Sequence, residues 1–212
     1  GQNGPGATNL ITGLAQARAA YSPVVSIAGA LASGHVYRDA FQEVDQQALF
    51  TPVTKKVWTA PSTDRVPELV REAFRVALAP RRGPVHLNLP RDVLAGQAEF
   101  EPSSAPVNHR NQGVPAPSAD AVTEAAALLA SASRPVIIAG GGRWTEQARV
   151  DLTHFAEAND IPVVTAFRFH DLVDNHSDQF VGEAGVAMLQ AVKDTIHNAD
   201  VVLGLGIRFG EM

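Results

Sequence analysis

Short runs of Val, Ile, Leu and Ala, closed by Pro or Gly, alternate along this chain with segments of helix length. The clearest are Pro23-Val24-Val25-Ser26-Ile27-Ala28-Gly29, Pro84-Val85-His86-Leu87-Asn88-Leu89-Pro90 and Pro135-Val136-Ile137-Ile138-Ala139. They are nearly continuous in apolar residues, as strands must be when both faces of their sheet are covered. Strands separated by helix-length segments are joined by crossovers, so the spacing predicts parallel sheets clad in helices, an α/β fold. In such sheets ligands bind beyond the carboxyl ends of the strands.

The same reading places helices over residues 8–21, 45–50, 64–78, 119–131, 146–159 and 186–198, and further strands over 53–58, 161–165 and 200–206. The most regular helix, 64–78, puts Val66, Leu69, Val70, Ala73, Phe74 and Ala77 on one face and Glu68, Arg71, Glu72 and Arg75 on the other. Residues 99–118 turn to Pro, Ser, Asn and Gln, the composition of a linker. The chain is therefore divided into a first domain (1–97), a linker (98–118) and a second domain (119–212). Between two strands, residues 30–43 carry His35, Tyr37, Arg38, Asp39, Phe41, Gln42 and Glu43 without a clear period. A polar and aromatic loop beside a strand end is where function concentrates.

With 212 residues, 45% of them hydrophobic, the chain can bury ordinary cores. A net charge of -5 argues against nucleic-acid and anionic-membrane partners. The absence of cysteine excludes disulfides, thiolate nucleophiles and thiolate metal sites, and favours a cytoplasmic protein. The longest apolar run, residues 23–32, falls well short of the roughly 20 residues that span a bilayer. A soluble protein is expected.

Gly4-Pro5-Gly6 makes a stiff turn that needs no side-chain room, and the apolar spacing after it opens a helix, so a ligand can approach that backbone closely. The same residues serve equally as a tight strand-to-helix connection. Three residues precede the turn, too few for the strand that should feed it, so the chain reads as part of a longer protein. Gly140-Gly141-Gly142 lacks the spacing of the dinucleotide fingerprint. His170, Asp171, Asp174, His176 and Asp178 have chemistry that suits divalent cations, but such loops are commonly solvated, and no metal site is assigned. His86 reads as a satisfied core or interface residue, Arg91-Asp92 as a structural ion pair at the domain edge, and Glu43 as a local hydrogen-bonding group or a partner for Arg38.

In combination, Gly4-Pro5-Gly6-Ala7-Thr8-Asn9, Asp39-Ala40-Phe41-Gln42-Glu43, Thr54-Lys55 and Gly83-Pro84-Val85-His86-Leu87-Asn88-Leu89-Pro90-Arg91-Asp92 closely resemble the acetolactate synthase-like group of thiamine diphosphate-dependent enzymes. The resemblance continues with Arg134-Pro135-Val136-Ile137-Ile138-Ala139-Gly140-Gly141-Gly142 and with Gly206-Ile207-Arg208-Phe209, and so covers almost the whole chain in order. It implies two incomplete domains: the later part of a pyrimidine-binding domain and the first part of a central domain. Active sites of the family form between subunits, so a homodimer or homotetramer is implied.

On this resemblance, Gly4, Pro5, Gly6 and Asn9 pack against the thiamine of the neighbouring subunit. Phe41 and Gln42 line the pocket above its reactive carbon, and Lys55 lies near the substrate entrance. An amide at Gln42 can donate to and accept from a developing oxyanion without adding charge, although a loop amide that caps a backbone group has the same sequence. The family's catalytic glutamate falls before residue 1 and its magnesium and diphosphate ligands fall beyond Met212, so this chain alone is expected to be inactive. Gly140, Gly141, Gly142 and Arg208 match positions that contact FAD in biosynthetic acetolactate synthases, whereas Phe167-Arg168-Phe169-His170 and Val181-Gly182-Glu183-Ala184-Gly185 depart from the flavin-contacting sequences. FAD or a vestigial crevice are both open. The implied activity is decarboxylation of a 2-oxo acid such as pyruvate, with transfer of the remaining hydroxyethyl unit to an acceptor. A related decarboxylase, an acetyl-transferring lyase, and a truncated non-catalytic module for nucleotide binding or oligomerisation are the alternatives.

Overall fold

A computed structural model of the chain describes residues 1–100, 116–141 and 144–209. The chain divides between residues 114 and 115 into two compact units. Most of the stretch read as a linker lies outside the described residues, as does Gly142.

The first unit holds a three-stranded parallel sheet in the order β1-β3-β2, formed by β1 (Val25–Ala30), β2 (Val57–Thr59) and β3 (Val85–Pro90). β3 is central: Val85 to Pro90 pair with Val25 to Ala30 on one side, and His86 to Asn88 pair with Val57 to Thr59 on the other. Its burial follows, with Val85, His86 and Leu87 fully covered. The backbone of Gly1 bonds to β1 at Ile27 O (2.6 Å) and Gly29 N–H (3.0 Å), so the residues before the turn run along the free edge of β1.

The helices before and between these strands match the sequence reading only in part. The helix expected over 8–21 is two helices, α1 (Pro5–Thr8) and α2 (Ile11–Ala19), because Pro5 already occupies the first helical position inside the glycine turn. α2 ends where Tyr21 takes a φ of 54° and Ser22 N–H reaches back to Ala17 O (2.9 Å), a left-handed C-terminal cap. The strand expected over 53–58 shrinks to β2. After α3 (Gln46–Phe50) the chain keeps turning through Thr51–Val53, and the Thr54 hydroxyl donates back to Phe50 O (2.8 Å).

α4 (Val66–Leu78) buries Leu69, Ala73 and Ala77, spaced four apart, against Leu87, Val85, Ala60 and Trp58. Phe74, expected on that face, is 50% exposed, since it lies about 100° round the helix from Ala73. A short helix, α5 (Arg91–Ala95), follows β3.

A polar thread crosses this sheet. The Ser26 hydroxyl lies 2.7 Å from His86 Nδ1, His86 Nε2 lies 2.9 Å from Asn88 Oδ1, and Asn88 Nδ2 donates to Thr59 Oγ1 (3.2 Å). Asn88 Oδ1 can only accept, which assigns the imidazole proton to Nε2 and leaves Nδ1 an acceptor, sharing the Ser26 hydroxyl proton with Val85 O (3.0 Å). Phe50 stacks on the ring at a centroid distance of 3.5 Å. Burial pushes the His86 pKa down to about 4, against the opposing pull of the Asn88 bond, so the ring is neutral. His86 is thus a satisfied core residue.

The second unit is a four-stranded parallel sheet in the order β6-β5-β4-β7, with β4 (Pro135–Ala139), β5 (Val163–Ala166), β6 (Phe180–Ala184) and β7 (Val201–Leu205). Helix α6 (Ala119–Ser131) leads into β4, α7 (Glu146–Ala158) connects β4 to β5, and α8 (Gln190–His197) connects β6 to β7. Side chains of β4 alternate between two cores: Ile137 and Ala139 pack with Leu152 and Ala156 of α7, and Val136 and Ile138 pack with Val192 of α8.

β6 falls in what the sequence reading treats as a loop. Gly182 (φ 139°) and a register shift opposite Val163 and Val164 break its pattern. That glycine has a packing reason, because a Cβ there would lie 2.8 Å from Val192 Cγ2. No helix among the described residues is long and apolar enough to cross a membrane.

Candidate functional site

The carboxyl ends of β1 and β3 gather three connections. The first is the glycine turn. Gly4 caps α1 with φ 60° and ψ -118°, and its carbonyl accepts from Ala7 and Thr8 N–H, both at 3.0 Å. An L side chain rarely adopts that conformation, and there is no room for one: a Cβ would sit 2.7 Å from Gln42 Cβ and 2.9 Å from Gln42 O. The close backbone approach that the turn permits is therefore to Gln42 of the same chain. A Cβ on Gly6 would meet Gln2 at 3.1 Å, while Pro5 and Asn9 are exposed.

The second connection is the loop after β1, which carries Phe41 and Gln42. Phe41 is 88% exposed, and among the described residues the Gln42 amide has no hydrogen-bond partner. It caps no backbone group. Glu43 resolves toward local hydrogen bonding: its carboxylate accepts from Tyr37 N–H (2.6 Å) and Ala40 N–H (2.9 Å). Those backbone bonds, Ala40 first, hold its pKa below the usual carboxylate value.

The third connection is the start of α5. Asp92 accepts from Ser33 N–H (3.1 Å) and so ties the loop after β1 to the end of β3. That replaces the expected Arg91–Asp92 pair; among the described residues no ion pair joins those two. Arg91 itself is exposed at this end of the sheet, a placement missed by sequence reasoning although it directly follows the central strand.

The structure brings Gly4, Pro5, Gly6, Asn9, Phe41 and Gln42 to one end of the sheet, and it does not bring Lys55 there. Lys55 precedes β2, and its N–H bonds to Pro84 O (2.7 Å) at the amino end of β3. Its ammonium donates to Val76 O (2.5 Å) and Ala79 O (3.2 Å) at the carboxyl end of α4, where unpaired carbonyls and the helix dipole favour a cation. Burial lowers its pKa. Within this unit Lys55 is a helix-end residue, at the other end of the sheet from Phe41 and Gln42.

In the second unit the chain runs β4, β5, β6 outward and returns to β7 on the far side of β4, so the strand order reverses between β4 and β7. Ligands of open α/β sheets bind at such a reversal. Gly140 and Gly141 follow β4 there, and Gly206, Ile207 and Arg208 follow β7. Gly140 N–H donates to Leu205 O (3.0 Å), and the Trp144 indole donates to Gly140 O (2.8 Å). The two turns fit only as glycines. A Cβ on Gly206 (φ 64°) would lie 2.5 Å from Gly141 O, and one on Gly140 would lie 2.7 Å from Ala166 Cβ. Arg208 is exposed.

The His and Asp loop divides into pairs. His170 Nδ1 lies 2.5 Å from Glu183 Oε2 and His176 Nδ1 lies 3.1 Å from Asp174 Oδ1. Among the described residues no three His, Cys, Asp or Glu side chains converge as a metal site.

With this geometry in place, comparison with known proteins identifies the family. The family model described as the N-terminal TPP binding domain of thiamine pyrophosphate enzymes matches residues 1–49, and that of their central domain matches residues 122–212. The chain belongs to the thiamine pyrophosphate enzymes. Among the relatives of this thiamine pyrophosphate enzyme chain is a probable acetolactate synthase large subunit of Methanocaldococcus jannaschii, 35% identical over 99% of this chain and 36% of the relative. The acetolactate synthase large subunit IlvB1 of Mycobacterium tuberculosis is 36% identical, over 99% of this chain and 34% of its own length. The acetolactate synthase isozyme 1 large subunit of Escherichia coli is 32% identical, over 99% and 36%. The chain spans about a third of the length of these relatives.

Proposed function

We propose that the protein carrying this chain is a thiamine diphosphate- and magnesium-dependent carboligase of the acetolactate synthase type, acting on 2-oxo acids. One observation carries the assignment to this end of the sheet: Gly4 and Gln42 are in contact there, and among the described residues the Gln42 amide is left unpartnered. The residues fit the group. The exposed outer side of the turn, with Pro5 and Asn9, offers a surface for the thiamine of a neighbouring subunit, and Phe41 adds an apolar wall.

Bound thiamine diphosphate supplies the electron sink that decarboxylation of a 2-oxo acid needs. The Gln42 amide donates a hydrogen bond where negative charge develops on the substrate oxygen, and its carbonyl accepts from a hydroxyl, with no charge of its own to neutralise. Phe41 keeps that region dry, which strengthens each polar contact inside it. Magnesium and the diphosphate are held by residues outside this chain. Where the protein holds FAD, the reversal point of the second sheet, with Gly140, Gly141 and Arg208, would receive it; otherwise it is a vestigial crevice. Assembly into homodimers or homotetramers in the cytoplasm accompanies this reading, the exposed Tyr37 and Phe41 being suited to cover by a second subunit.

The test is turnover of pyruvate by the full-length protein, with the product identified. Acetolactate supports the carboligase, and acetaldehyde alone assigns a decarboxylase. In the same assay Gln42→Ala lowers kcat about tenfold or more while the folded protein persists; unchanged turnover removes Gln42 from the site.

A further inference from the structure

We propose that Glu43 is a positioning residue for this site: its carboxylate fills a backbone nest that holds Phe41 and Gln42 in their working arrangement. The inference rests on the reading of Gln42 as a site residue. Tyr37 (φ 66°) and Asp39 (φ 53°) are left-handed, with other conformations between them. Backbone that alternates in hand turns successive N–H groups to one side and makes a concavity for an anion.

Here the anion belongs to the chain. Oε1 of Glu43 accepts from Tyr37 N–H at 2.6 Å and Oε2 from Ala40 N–H at 2.9 Å. The backbone closes the loop as well, Glu43 N–H donating to Ala40 O (2.9 Å).

Phe41 and Gln42 are the turn between those two anchors. Apart from the packing of Gln42 on Gly4, little else fixes them. Phe41 is 88% exposed, the Gln42 amide is unpartnered among the described residues, and Gln42 itself is left-handed at φ 63°. Left-handed backbone at three non-glycine positions persists only where surrounding bonds hold it. The Glu43 carboxylate is the group that bonds to this segment, and Gly4 receives the Gln42 Cβ so held. Without the carboxylate the nest N–H groups turn to water, the loop samples other conformations, and the amide reaches the reacting oxygen in a smaller fraction of encounters.

The experiment uses the full-length protein and compares Glu43→Ala, Glu43→Gln and Gln42→Ala for kcat and KM with pyruvate, thiamine diphosphate affinity by calorimetry, and thermal midpoint. Glu43→Ala is expected to lower kcat about tenfold or more, with KM and cofactor affinity within about threefold of the parent and the midpoint within about 2 °C. Glu43→Gln keeps one acceptor oxygen for the nest and recovers part of the loss. A positioning role is overturned if Glu43→Ala keeps full kcat while Gln42→Ala loses it, or if Glu43→Ala loses kcat only in proportion to a fallen midpoint. If both variants keep full turnover, the reading of Gln42 as a site residue falls and this inference falls with it.

Discussion

Gly4→Ala is the smallest change that tests whether the glycine turn and the Gln42 loop are one object. The added methyl meets two penalties. With φ 60° and ψ -118°, the backbone at residue 4 lies outside the regions open to L residues, and holding alanine there costs roughly 1–3 kcal/mol. The Cβ would also lie 2.7 Å from Gln42 Cβ, where carbon atoms in ordinary contact stand about 3.5–4.0 Å apart. An overlap on the order of 1 Å in a packed contact adds about 1–3 kcal/mol if nothing moves.

The Gln42 loop is the softer partner, since Phe41 beside it is exposed, whereas Gly4 is buried and its carbonyl caps α1. Relief therefore comes from the loop. The stability loss is then about 1–3 kcal/mol, and displacement of Gln42 by on the order of 1 Å can lower kcat/KM by up to about a hundredfold. Denaturant unfolding and steady-state kinetics of the full-length protein read the two effects separately. Gln42→Gly removes both a Cβ and a strained φ at the contact, so it should recover about 1 kcal/mol of the Gly4→Ala loss in a double-mutant cycle. A Gly4→Ala protein within about 0.5 kcal/mol of the parent and equally active would refute the contact and its consequence.

His86 gives a pH signature. Its folded pKa of about 4 lies below the ordinary 6.5, so between those values the unfolded chain binds a proton that the folded chain refuses. Stability is full above about pH 7 and falls as the pH drops through that window, by at most about 3 kcal/mol. His86→Phe flattens that limb while lowering the plateau; equal slopes between pH 5 and 7 in both proteins would contradict the assignment. Lys55→Met keeps the stem that packs on Gly83 but removes two bonds to the end of α4, and should cost about 1–2 kcal/mol in unfolding with KM for the oxo acid unchanged. A raised KM at full stability would return Lys55 to the substrate path. Gly206→Ala should disorder the β4–β7 reversal and lower flavin affinity, read by titration with FAD, more than it lowers the unfolding midpoint, because its Cβ would press on Gly141 O.

Much of the fold was legible because β-branched runs closed by Pro or Gly leave few alternatives: β1, β3, β4 and β7 and their flanking helices stand close to where the sequence placed them. β6 was hidden by Gly182 and Glu183, which interrupt the apolar run, and by a bulge visible only once β5 lies beside it. The candidate site residues were read by resemblance, not by spacing. Gly4 and Gln42 are distant in sequence, and only folding shows that one needs the other's missing side chain. The placement of Lys55 was recoverable in principle, because a residue that precedes a parallel strand lies at the amino end and one that follows it, such as Arg91, lies at the carboxyl end. The nest around Glu43 had no signal in composition, since it depends on left-handed backbone at Tyr37 and Asp39.

The most direct measurement is calorimetric titration of the full-length protein with thiamine diphosphate in the presence of magnesium, for the parent and for Gly4→Ala. Saturable binding by the parent, weakened in the variant, is the expected result; no binding by the folded parent would contradict the assignment of this end of the sheet to the cofactor.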